Sequence, residues 1–130
     1  MTDLNDVALQ VQALVDYEAI KTLKHRYIRC MTQSRWDEMA SLLTEDVECA
    51  YSDGKYTFNN REELMQFLRA SHDATESMTI GYWHVTMPEI SLTTDTTASG
   101  KWGMYHFFLN KAENQQLEMF SYYDDEYVKI

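Results

Sequence analysis

Leu4, Val7, Val11 and Leu14 recur at helical spacing on an otherwise polar segment, a narrow apolar stripe. The stripe stops at Asp16, and from there Ile20, Leu23, Tyr27 and Met31 carry a helical face turned toward a new partner. The pattern predicts two helices or one bent helix, with Asp16 available as an N-cap. Residues 34–37 have capping-box form and open a helix whose apolar positions are Trp36, Met39, Ala40 and Leu43. Residues 60–63 repeat the signature before Leu64, Phe67 and Leu68. Residues 71–77 read as polar loop, which leaves His72 on the surface; His25 also lies in polar surroundings.

The period then changes from helical to alternating. Val47, Cys49 and Tyr51 alternate with Glu48 and Ala50, predicting a strand over residues 46–52. Asp53-Gly54 marks a turn, and residues 55–58 a short returning strand. From Met78 to Phe108 aromatic and β-branched residues dominate, broken only by the turn chemistry of Thr94-Asp95-Thr96. This predicts two long antiparallel strands, with bulges or bends at Gly81, Pro88, Gly100 or Gly103. A polar turn over residues 110–114 leads to a third long, tyrosine-rich strand over residues 115–128. Helices followed by long antiparallel strands give an α+β class, a curved antiparallel sheet packed on about three N-terminal helices. Residues 1–130 read as one domain, with residues 1–15 as a helical extension.

Charge narrows the partners. Eleven basic against 21 acidic side chains leave a net charge of −10, which repels phosphate backbones and anionic lipid. No nucleic-acid or membrane partner is expected, and a neutral hydrophobic small molecule fits better than a polyanion. Cys30 and Cys49 are the 2 cysteines, without CxxC spacing, so they read as reduced thiols. No His/Cys/carboxylate spacing suits a metal, and no signal-like or membrane-spanning run is apparent; the expectation is no metal, no cofactor and a cytoplasmic location. The N-terminal stripe and the tyrosine-rich strands make more apolar surface than one small domain with three helices can cover, which suggests a homo-oligomer, a trimer or dimer.

The candidate chemistry lies in the long strands. His84 and His106 sit in apolar runs on adjoining strands, equally far from Asp95, so they should share a height in the sheet. Alternation puts Trp102, Met104, His106 and Phe108 on one face. Such a face suits a hydrophobic pocket, and an ordinary core equally.

Several motifs carry a resemblance to a known family. They are Arg-Tyr-Ile-Arg-Cys from Arg26, Trp36-Asp37-Glu38, Leu43-Thr44-Glu45-Asp46-Val47, Met87-Pro88-Glu89-Ile90, and the run from Thr96 to Trp102. Together they resemble the SnoaL-like branch of the cone-shaped NTF2-like (cystatin-like) fold, which includes ketosteroid isomerase. The chain is most similar there to the bile acid 7α-dehydratase and scytalone dehydratase families. The resemblance implies that Tyr27 stands where those dehydratases use a tyrosine, and that Thr32 replaces an aspartate. Their strand histidine maps to His84, or to Trp83 if the alignment has no gap. It further implies that the usual last strand, with its arginine, is missing after Ile130.

The activity so implied is that of a dehydratase-like lyase or isomerase, which removes an α-proton and eliminates water from a hydrophobic polycyclic or aromatic hydroxy-ketone. His106 or His84 would be the general base and the other histidine the acid for the leaving hydroxyl, with Tyr27 and Tyr51 as the carbonyl-polarising donors. Trp83, Trp102, Met104, Phe108 and Thr32 would line the pocket. The alternatives are a non-catalytic hydrophobic binding module and a structural subunit resembling the β-subunits of ring-hydroxylating dioxygenases.

Overall fold

The computed structural model describes residues 3–73 and 79–130; Met78 and residues 74–77 of the expected loop lie outside the described residues. Helix α1 (Leu4–Gln33) is a single unbroken helix, because no glycine or proline interrupts its amide ladder. Asp3 caps it by accepting the Asp6 N–H at 2.8 Å. Asp16 is therefore not a cap. Its mid-helix carboxylate accepts from Gln12 and from Lys129, each at 2.9 Å. The break in the apolar stripe is a change from an exposed face to a packed one, not a break in the helix: Leu4, Val7, Val11 and Leu14 are exposed.

Ser34, expected to open the second helix, instead closes the first. It takes the left-handed conformation at φ 57° with its N–H on the Cys30 carbonyl. Helix α2 (Trp36–Ser41) starts after Arg35 without a side-chain cap. Helix α3 (Arg61–His72) follows the capping rule: Asn60 accepts the Glu63 N–H at 2.9 Å, and Glu63 accepts the Asn59 N–H at 3.2 Å. Strand β1 (Cys49–Tyr51) is shorter than residues 46–52, and it pairs with β2 (Tyr56–Phe58). Ser52, Asp53 and Gly54, all at positive φ, make the turn between them.

The main sheet has the order β3-β4-β5, formed by Thr79–Leu92, Thr97–Asn110 and Gln115–Val128. Near the β3–β4 turn, Glu89 faces Lys101 and Ile90 faces Gly100. Past Met87 and Pro88 the register has moved, so that Thr86 faces Gly103 and Trp83 faces His106. Proline cannot donate to the ladder, and Met87 absorbs the extra residue at φ 53°. This bulge changes which side chains look inward. Ile90 and Leu92 lie on the helix-packed face below it, and Val85, Trp83 and Gly81 above it. The core between helices and sheet is built from Ile28, Met31, Trp36, Met39, Leu64 and Leu68, with Trp83 contributed by the sheet.

Candidate active site

The bulge decides the fate of the two strand histidines. His106 faces inward, 4 % exposed, whereas His84 is exposed on the opposite face beside Tyr82 and Tyr105. His84 pairs with Tyr105 rather than with His106. The expected histidine pair across β3 and β4 is therefore not formed. In its place the indole of Trp83 stacks on the His106 ring, centroids 4.4 Å apart and planes within 18°. Gly81 makes room for this: a Cβ there would meet the Trp83 ring at 2.4 Å.

His106 gains a different imidazole as neighbour. Leu64, Leu68 and His72 follow one another at intervals of four on α3, so His72 extends the helix's buried stripe instead of starting a loop. Its ring centroid lies 5.3 Å from that of Trp83, 6.3 Å from that of His106 and 6.5 Å from that of Phe108, edge-on in each case. Phe108 closes the fourth side, edge-on to His106 at 5.6 Å. Next in sequence, the buried Asp73 accepts a 2.6 Å hydrogen bond from the Trp36 indole, tying the end of α3 to α2.

The two imidazoles are short of partners. His72 Nδ1 and His106 Nε2 are buried and meet no hydrogen-bond partner among the described residues. Buried polar nitrogens are nearly always paired, so two orphans on neighbouring rings are a signal. Burial, with the neighbouring His72 adding to it, drives the His106 pKa down to about 4. Burial alone lowers that of His72. Both rings are neutral near pH 7, each with one donor and one acceptor nitrogen. Phe108 is also a wall of an open hollow of about 410 Å³, shared with Asn110, Gln115, Gln116 and Leu117.

Tyr27 and Tyr51 belong to a second polar cluster. Their hydroxyls lie 3.5 Å apart, a long contact. Burial pushes the Tyr27 phenol up to about 12 and raises that of Tyr51, so both stay protonated. Beside them the Lys24 ammonium, 5 % exposed, pairs with Asp125 at 2.7 Å and sits 3.5 Å over the Tyr123 ring. Asp125 also accepts from the Tyr127 hydroxyl at 2.8 Å, which accepts from the Trp102 indole at 2.9 Å. Of the expected pocket lining, Trp83 and Phe108 reach the imidazole pair. Trp102 belongs to the lysine network, Met104 packs on the hydrophobic core, and Thr32 is half-buried near the end of α1.

Among the described residues, no group of three or more His, Cys, Asp or Glu side chains is placed to hold a metal ion. No helix among them is long and apolar enough to cross a membrane.

Comparison with known proteins adds the relatives. The model of the SnoaL-like domain family matches residues 12–130. A candidate scytalone dehydratase from Novosphingobium aromaticivorans superposes with a TM-score of 0.84 at 19 % identity, over 93 % of this chain and 78 % of its own. A type-2 hexachlorocyclohexane dehydrochlorinase, LinA, gives 0.75 at 18 % identity, over 93 % and 80 %. The association domain of CaMKII from C. elegans gives 0.69 at 9 % identity, over 89 % and 86 %. At such identities the likeness is one of fold, and one fold hosts many chemistries.

Proposed function

We propose a lyase or isomerase function for this chain, which belongs to the SnoaL-like domain family, with His106 as the proton-transfer group. The substrate class is a neutral, flat, hydrophobic hydroxy-ketone that approaches His106 past Phe108, whose ring also walls the open hollow. The observation that carries this reading is the His106 Nε2 atom, buried inside an aromatic box without a partner among the described residues.

The chemistry starts at that atom. Its lone pair takes the proton α to the carbonyl; the C–H electrons become the C=C of an enolate. As the enolate collapses, the β C–O bond breaks and the departing hydroxyl takes the same proton from Nε2, leaving as water. Atoms balance and the imidazole returns to its neutral state. The free imidazole is a weak base because its cation is desolvated. Negative charge developing on the substrate raises its proton affinity at the moment of transfer. Similarity to a dehydratase candidate and to a dehydrochlorinase supports an elimination over other proton-transfer reactions.

A second reading, a non-catalytic hydrophobic binding module, draws on Thr32 and Trp83. Neither has a titratable side chain, and they stand where the dehydratase pattern has an aspartate and one alignment of its histidine. For either reading, the exposed Leu4, Val7, Val11 and Leu14 stripe supports a homo-oligomer.

Two probes separate the readings. 1-Tetralone in D₂O reports α-proton exchange, and 3-hydroxy-1-tetralone reports dehydration through its aromatised product, 1-naphthol. The enzyme reading expects both activities, with His106→Gln lowering them by about 100- to 10,000-fold. Saturable 1-tetralone binding with no exchange above buffer would establish the binding module instead.

A further inference from the structure

The geometry points to His72 as the group that holds the ligand's carbonyl oxygen, donating a hydrogen bond from Nδ1 while His106 faces the adjacent C–H. This deepens the reading of His106 as base and rests on it. The sequence pattern places His72 only as a surface residue of a polar loop. The structure puts its ring against Trp83, His106 and Phe108, with Nδ1 buried and unpartnered among the described residues.

Complementarity sets the ligand class. Two neutral imidazoles with one free nitrogen each match a group that accepts at one atom and gives a proton at the next. A carbonyl with its α-carbon is such a pair. A carboxylate or phosphate is not, because neither ring supplies a positive charge and the chain's net charge is −10. The aromatic surroundings of His72, the Trp83 and Phe108 rings, favour an aromatic or polycyclic body. A neutral N–H aimed at a developing enolate oxygen in a water-poor site stabilises it without giving up its proton. His72 therefore ends the step as it began, and the only proton that moves is the one carried by His106.

Asparagine separates this role from a structural one, since its amide N–H₂ occupies nearly the position of histidine Nδ1, whereas phenylalanine keeps only the ring shape. The probe is 1-tetralone, which has the carbonyl but no leaving group, with binding measured by calorimetry and by the ring ¹⁵N signals of the wild type. We expect the His72 Nδ1 signal to move on binding. His72→Phe should bind at least ten-fold more weakly and, where exchange occurs, slow it about 100- to 1,000-fold. His72→Asn should bind within about threefold of wild type. Near-UV circular dichroism checks that each variant is folded. Equal binding by His72→Phe, or an asparagine variant as weak as the phenylalanine one, overturns the assignment. His72-dependent binding without exchange would remove only the role of His106 as base, and no wild-type binding would remove both.

Discussion

Around Trp102 on β4, the buried Lys24 gathers half-buried Asp125, Tyr27, Tyr51, Tyr123 and Tyr127; around His106, buried on the same inward face, stands the half-buried His72. His106 sits roughly 13 Å further along the strand at about 3.3 Å per residue. In the first cluster every strong group is answered. Lys24 meets Asp125, Asp125 meets Tyr127, and Tyr127 meets Trp102. In the second, two ring nitrogens have no such answer among the described residues. Burial penalises the charged forms in both: it lowers the pKa of Lys24 as it lowers those of the histidines. For Lys24 an opposing carboxylate counters part of the penalty. Among the described residues the histidines have no such carboxylate, and burial keeps them neutral. A paired buried network holds α1 to β5; an unpaired one has hydrogen-bonding capacity left for a ligand.

The largest expected effect breaks the first cluster. Lys24→Met keeps most of the stem volume but leaves Asp125 without its cation. Breaking a buried pair from one side costs about 3–5 kcal/mol, read as the shift in urea unfolding. The imidazole pair does not touch Lys24, so 1-tetralone binding by the folded variant should stay within about twofold. A variant as stable as wild type would mean that the lysine pair carries no structural load, and the contrast between the clusters would collapse.

Much of this fold is legible in the sequence. The alternation of Val47, Cys49 and Tyr51, the cap at Asn60 and the turn at Asp95 all appear in the structure near their expected places. These signals are local: side-chain spacing and turn chemistry act within a few residues. The site is less legible because it depends on register. Equal distance from Asp95 puts His84 opposite His106, and one extra residue at Met87 and Pro88 undoes it. Pro88 announces that a bulge is available, but not which strand takes the extra residue. His72 escapes sequence reasoning for a different reason. Its polar neighbours suggest a loop, while the Leu64, Leu68, His72 interval, also in the sequence, places it on the buried face of α3.

The smallest effect sharpens the second cluster by subtraction. His84 is exposed, so His84→Ala should change stability by less than about 0.5 kcal/mol and leave exchange of 1-tetralone within about twofold. A hundredfold loss in that variant would mean that the outward face of the sheet, and not the Trp83 side, carries the chemistry.

Both the proposed chemistry and the contrast between the clusters require His106 to be a neutral imidazole in a desolvated site. Its pH titration, followed through the ring ¹⁵N signals in the unliganded protein, tests that directly. Burial disfavours the cation, so the ring should stay neutral as pH falls from 7 through the usual histidine range and take up its proton only at about 4. The His72 signal should also titrate below its ordinary value of 6.5. A His106 that protonates near 6.5 would be solvated or paired with a carboxylate, and the account of an unanswered imidazole pair would be wrong.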